Sequence, residues 1–307
     1  MRTLLTCFIL LFAGFAVAKP LNQIVVFGDS LSDNGNLYEH MHKKLPQSPP
    51  YYEGRFTNGP VWVERLTEAY FPGAIKEHLS DYAFGGAGVS EDPEDDTLFT
   101  LKKEIDTYFL AHNDKADENS LFIIWIGANN YLGIPDDTEE ALNQVKEGIS
   151  HGLKRLADAG AKHILIVNMP DLGKTPIASA FDSEEILTSI TQKHNQYLEA
   201  SIKSLREAYP EVQWLYYDVN GIVNDLISSP EQFGFNNIKD TCYEIMVDKP
   251  SSKTVLRMAA QISPKEGSDV CQGYLFFDPV HPTGPAHQIM ADRARSFLDA
   301  EGVEFSS

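Results

Sequence analysis

The chain predicts an α/β fold in which a mostly parallel sheet is covered by helices on both faces. Three observations carry this. Short β-rich apolar runs recur at 23–27, 121–126, 163–167 and 213–217, and the intervals between them show helical periodicity or capping signals. No internal repeat, low-complexity linker or break in composition marks a second domain.

Residues 1–18 are expected to form an export leader. Arg2 precedes an apolar run over 4–17, and Ala16-Val17-Ala18 has the small-x-small pattern of a signal-peptidase site. With that segment removed, 19–307 is expected to be one domain. Neither the leader nor any later stretch is long and apolar enough to predict a membrane span.

The first strand, 23–27, stops at Gly28, and Leu31 onward is expected to begin a helix. Residues 33–59, dense in Asn, Pro, Tyr and Gly, read as a surface insertion. Leu142, Val145, Ile149, Leu153 and Leu156 form a helical stripe over 138–159, with Gly160 as its stop. Ile186, Ile190, Tyr197, Ile202 and Leu205 predict a second long helix that opens on "DSEE" and ends near Tyr209-Pro210. Residues 229–275 read as another loop-like insertion. "PTGPAHQIMADRARSFLDA" after His281 reads as a final helix packing through Ile289, Met290 and Phe297.

The formal net charge is −19 and becomes one unit more negative when Arg2 leaves with the leader. Such an excess argues against nucleic-acid partners and against electrostatic adsorption to acidic lipid. Of three cysteines, Cys7 lies in the leader, so Cys242 and Cys271 remain; an even pair in an oxidising compartment is most simply one disulfide. Closing a loop of that length stabilises by about 3–4 kcal/mol in the chain-entropy view.

Candidate chemistry gathers where strands end. Ser30 follows the first strand in "IVVFGDSLSDNGN", where the functional groups of an open parallel sheet collect. A nucleophilic serine needs a base, and that base a carboxylate. "FFDPVHPTG" supplies both, with Asp278 three residues before His281. "DYAFGGAG" offers the N–H groups of Gly85 and Gly86, and "IIWIGANNY" ends a strand with the amide of Asn129. Taken singly, each has a structural alternative: Ser30 as a helix cap, Asp-x-x-His as a turn, the glycine pair as tight packing, Asn129 as a turn cap. His40 and His42 lack further ligands at metal spacing and read as a solvated loop. His287 is a weaker candidate base and reads as helix surface.

Taken together, Gly28-Asp29-Ser30, Gly85-Gly86, Gly127-Ala128-Asn129 and Asp278-x-x-His281, in that order across residues 24–285, resemble the GDSL family of SGNH hydrolases. The resemblance implies a flavodoxin-like three-layer α/β/α sandwich and serine esterase activity without a metal or organic cofactor. It implies Ser30 as nucleophile, His281 as base and Asp278 as its orienter. An oxyanion hole would be formed by the N–H of Ser30, Gly86 (or Gly85) and Asn129. Two positions depart from the family's pattern: Asn130 stands where an acid is usual, and Asp81 where Asn is frequent.

"FGDSLSDNGNLY" and "GRFTNGPVWVERL" are similar to the bacterial lipolytic branch that includes secreted lysophospholipases and glycerophospholipid:cholesterol acyltransferases. The expected function is therefore release of fatty acid from lysophospholipids by a secreted enzyme, extracellular or in periplasmic transit. Acyl transfer to a sterol or other alcohol and carbohydrate deacetylation are the alternatives, and a non-catalytic lipid- or glycan-binding protein is the rival of another class. The segment closed by Cys242 and Cys271 reads first as a staple for an insertion; its adjacency to Asp278 and His281, with Lys249, Lys253, Arg257 and Lys265, motivates a second reading in which it covers or gates the acyl site and is opened by an external protease.

Overall fold

In the computed structural model, five parallel strands form the main sheet: β1 (Gln23–Gly28), β2 (Leu79–Asp81), β3 (Ser120–Trp125), β4 (His163–Val167) and β5 (Gln213–Tyr217). Their order is β2-β1-β3-β4-β5, with Ile24 opposite both Leu79 and Leu121. The structure describes residues 19–90, 99–243, 254–262 and 270–306. The expected leader lies outside them.

Strand side chains alternate between two helical layers, as the two-residue period of a strand requires. Val25, Phe27, Phe122, Ile124, Ile164 and Ile166 pack on the face covered by helices Leu101–His112, Thr138–Asp158 and Glu184–Ala208. Ile24, Val26, Leu121, Ile123, Leu165 and Val167 pack on the other, under helices Trp62–Tyr70 and Gly284–Ala300. Burial on both faces explains why these strands read as continuous apolar runs. This is the three-layer α/β/α architecture.

The two long helices fall where their apolar stripes place them. The first begins where the Asp137 side chain accepts from Glu140 N–H, and it buries all five stripe residues. In the second, however, Ile186 is 40% exposed, and the buried stripe starts at Leu187. Three strands went unread: β2, whose "LSD" is too short and polar to register, and the pair β6 (Asn237–Thr241) and β7 (Tyr274–Phe276) within the second insertion.

Two expectations about loops fail. Leu31 starts no helix; residues 30–33 turn, and a short helix occupies Asn36–His40. Residues 33–59 are not surface throughout, because Leu37, Tyr51 and Phe56 point inward onto Phe277. Aromatic side chains in a Pro- and Gly-rich segment here act as core. Into the same cluster, helix Thr254–Gln261 buries Val255 and Met258, beside the Cys242–Cys271 disulfide, whose Cα atoms lie 4.9 Å apart. Arg257 is exposed; Lys249, Lys253 and Lys265 lie outside the described residues. Among the described residues, no helix is long and apolar enough to cross a membrane.

Candidate active site

The strand order reverses at β1, which lies between β2 and β3, so the chain leaves β1 and β3 into a crevice at their carboxyl ends. Ser30 stands two residues beyond β1. Asn129 stands in the short helix Ala128–Tyr131 beyond β3. Gly28 allows the sharp exit, since a Cβ there would lie 2.6 Å from the Trp125 carbonyl oxygen.

Far in sequence but adjacent in space, the segment after β7 brings in the base. Ser30 Oγ lies 2.7 Å from His281 Nε2, and His281 Nδ1 lies 2.6 Å from Asp278 Oδ2. With Nδ1 protonated and donating to the carboxylate, Nε2 is left to accept the serine proton. Asp278 Oδ1 accepts from the N–H groups of Val280 (2.9 Å) and His281 (2.8 Å). All three side chains are buried. Burial pushes the Asp278 carboxyl up, but the His281 charge and its ring N–H, with the two backbone N–H groups, outweigh this and hold it below the ordinary 3.8.

The glycine pair separates into two roles. Gly85 N–H is committed to Asp33 Oδ2 at 2.7 Å, a tie that Gly86, at φ +81°, does not share. Asn129 Nδ2 spends one hydrogen on the Ala87 carbonyl at 2.8 Å and keeps the other. Asn130 explains its own departure from the family's pattern. Its Oδ1 accepts from Val89 N–H at 2.8 Å and its Nδ2 donates to the Val89 carbonyl at 2.9 Å, a reciprocal pair that a carboxylate could not make.

Beneath the serine turn lies a buried acidic group. Glu104 Oε2 accepts from Gly28 N–H at 2.8 Å, Asp29 Oδ1 from Leu31 N–H at 3.0 Å, and Asp33 from the N–H groups of Gly35, Asn36, Leu37 and Gly85. Burial pushes Asp29 and Asp33 each up to about 6, and Glu104 and Asp81 well above the usual carboxyl range. Glu104 Oε1 and Asp81 Oδ2 are buried without a hydrogen-bond partner.

His287 is not helix surface. It is 1% exposed, accepts from Trp62 N–H through Nδ1 at 3.1 Å, and is pushed down to about 3 by burial, so it serves packing of the C-terminal helix. His40 and His42 are exposed, and His40 sets its ring edge-on to Phe99. Sequence reasoning missed Tyr51, whose hydroxyl donates to Asp278 Oδ2 at 2.7 Å, and Glu104. Glu104 carried a readable signal: a carboxylate among Leu101, Ile105 and Tyr108 sits on the apolar stripe of its helix. Tyr51 carried none.

An apolar cavity opens beside these residues. It is lined by Leu31, Trp125, Met169, Leu226, Leu275 and Met290, and it reaches Asp29, Val280 and Pro282, the chain neighbours of Ser30 and His281.

Residues 24–294 match the family described as GDSL-like Lipase/Acylhydrolase. The chain is 30% identical over 320 residues to a phosphatidylcholine-sterol acyltransferase of Aeromonas hydrophila, covering 93% of each. It is 28% identical over 283 residues to the secreted effector protein SseJ of Salmonella typhimurium, covering 91% of this chain and 64% of that one. With the thermolabile hemolysin of Vibrio parahaemolyticus it shares 27% identity over 279 residues, 89% of this chain and 63% of the relative.

Proposed function

This chain belongs to the GDSL-like lipase/acylhydrolase family and is a GDSL-type serine hydrolase, and on that premise we propose that it releases fatty acid from lysophospholipids. Ser30 attacks the ester carbonyl while His281 Nε2 takes its proton, and Asp278 stabilises the imidazolium that forms. The oxyanion is held by the N–H groups of Ser30 and Gly86 and the free amide hydrogen of Asn129. His281 then returns the proton to the leaving alcohol. Water, deprotonated by the same imidazole, resolves the acyl-enzyme.

The apolar cavity that reaches Asp29, Val280 and Pro282, the chain neighbours of Ser30 and His281, is the observation that favours a fatty acyl group over acetate, because a two-carbon acyl group has no use for an apolar lining of this kind. Acyl transfer to an alcohol is the second reading. It is favoured by the relative from Aeromonas, which is named for transfer to sterol and matches over 93% of its length. An acyl-enzyme is common to both, so the acceptor alone distinguishes them. A disulfide fits function outside the cytoplasm, after the leader at 1–18 is removed. In the same reading, an external protease cuts within 242–271 and frees the segment over the acyl site.

The test is fatty-acid release from lysophosphatidylcholine by purified protein, beside Ser30→Ala and a matched diacyl lipid, with and without cholesterol and limited proteolysis. Release from the monoacyl lipid that is lost in Ser30→Ala supports the proposal. Cholesteryl ester in place of free acid moves the reading to acyl transfer. Unchanged activity after a clean nick removes the gating role of the closed segment.

A further inference from the structure

Asp278 has one more partner than the transfer of a proton demands. Its two oxygens accept four hydrogen bonds: Oδ1 from the N–H groups of Val280 and His281, and Oδ2 from His281 Nδ1 and from the hydroxyl of Tyr51. Tyr51 is 1% exposed and Asp278 fully buried. Burial and the adjacent Asp278 charge push the Tyr51 hydroxyl well above its ordinary value, so it stays a donor through any working pH.

The tyrosine comes from a distant segment, clamped onto the base arm by several contacts. Its ring lies 5.1 Å from that of Phe277 and 5.6 Å from that of Phe56, and the Phe56 ring lies 5.2 Å from the His281 imidazole. Thr57 Oγ1 donates to the Pro282 carbonyl at 2.8 Å, and Asn58 Oδ1 accepts from Gly284 N–H at 2.7 Å. The segment therefore touches the residues on both sides of Asp278 and His281.

We propose that Tyr51 is a positioning residue of the catalytic group, fixing the Asp278 carboxylate opposite His281 and sharing its negative charge. Removing the hydroxyl takes from Oδ2 one of its two donors, Tyr51 and His281 Nδ1, at a place where the tyrosine ring packs between Phe56 and Phe277. The carboxylate then turns its full charge on the imidazole, which favours the protonated ring. His281 is the base only when neutral, so the enzyme without this hydroxyl requires a higher pH to reach full rate. Among the described residues, Asp29 and His287 also feel the charge of His281, and both are left unchanged by a substitution at Tyr51.

This inference rests on the serine-hydrolase reading but not on the choice of lipid, and the experiment separates the two. Tyr51→Phe is compared with the parent chain on p-nitrophenyl butyrate and on lysophosphatidylcholine, across pH. The expected result is kcat lower by roughly tenfold with KM unchanged, and an acid limb displaced upward by about one pH unit on both esters. In the Ser30→Ala background, protonation of the His281 ring followed by NMR should move to higher pH in the same way when Tyr51→Phe is added. Identical pH profiles and NMR titrations for the two proteins overturn the proposal. So does a lower melting temperature with a reduced rate but an unmoved acid limb, since packing alone explains that. If the parent cleaves the butyrate and not the lipid, the substrate reading fails while the Tyr51 test stands. If it cleaves neither, the NMR pair decides.

Discussion

The turn that carries Ser30 is held by buried carboxyls accepting backbone N–H groups, whereas the arm that carries His281 is held by aromatic packing around one carboxylate. Asp29, Asp33 and Glu104 serve the first region, and burial raises all three. Tyr51, Phe56 and Phe277 serve the second, where Asp278 is held below its ordinary value. Between the two regions runs the 2.7 Å hydrogen bond from Ser30 to His281. The difference reflects what each must present. The serine turn needs N–H donors near a reaction centre that becomes negative, and burial raises the carboxyls below it, so they hold their protons to higher pH than exposed carboxyls would. The base arm needs a full negative charge opposite an imidazole that becomes positive.

The largest consequences concern the nucleophile on one side and the charge of the base arm on the other. Asp278→Asn keeps the shape but removes the charge and the tautomer control, so kcat should fall roughly 10⁴-fold, while Ser30→Ala should lose about 10⁵-fold or more. Ester hydrolysis with circular dichroism as a folding control measures both. A loss of less than about tenfold in Asp278→Asn would show that the imidazole is oriented from elsewhere.

A smaller effect is expected at Asn130, on the serine side. Asp at this position places a carboxylate oxygen against the Val89 carbonyl, where the amide now donates at 2.9 Å. The loop carrying Asn129 should loosen, and kcat should fall about tenfold at neutral pH with partial recovery as the new acid is protonated. A pH–rate profile of Asn130→Asp reads this directly.

Smaller still for activity, but informative about charge, are the carboxyls beneath Ser30. Asp29 and Asp33 have folded-state values raised to about 6 from 3.8, so their contribution to folding is complete below pH 3.8 and is lost as pH rises through 6. Asp29→Asn removes one such titration. Relative to the parent, it should gain stability between pH 4 and 6, on the order of 3 kcal/mol. Asp278 has the opposite sign, its contribution being lost as pH falls below 3.8. His194 and His287, pushed down by burial to about 4 and about 3, also favour folding above pH 6.5 and lose that as pH falls. The difference between variant and parent in urea melts at several pH values therefore isolates Asp29 where the raw curve does not. Glu104→Gln, which keeps an oxygen for Gly28 N–H, should cost less than about 1 kcal/mol, and Glu104→Leu about 1–3 kcal/mol.

Much of this was readable because it is local. Apolar runs bounded by turns gave four of the five main strands, and i, i+3, i+4 stripes with caps gave both long helices, since burial on a fixed face leaves a period in the sequence. Ser30, His281 and Asp278 were readable as motifs, because a turn that presents a side chain constrains its own neighbours. What failed was non-local. Residues 33–59 have the composition of a surface loop, and only the presence of Phe277 across the fold turns Leu37, Tyr51 and Phe56 into core. β2 is a strand because β1 offers it an edge, not because "LSD" prefers one. His287 is buried because helix Trp62–Tyr70 packs against its own helix, a contact with no trace in the spacing of either.

The sequence by itself determined four strands of the main sheet and the two long helices, the serine just past β1, and the pair Asp278 and His281, each written within a few neighbouring residues. Only the tertiary structure decided that Gly85 N–H is tied to Asp33, why an amide stands at Asn130, and that a tyrosine 227 positions away completes the shell of Asp278. A hydrogen bond between distant segments depends on angles accumulated over the whole chain, and no local pattern of side chains encodes that sum.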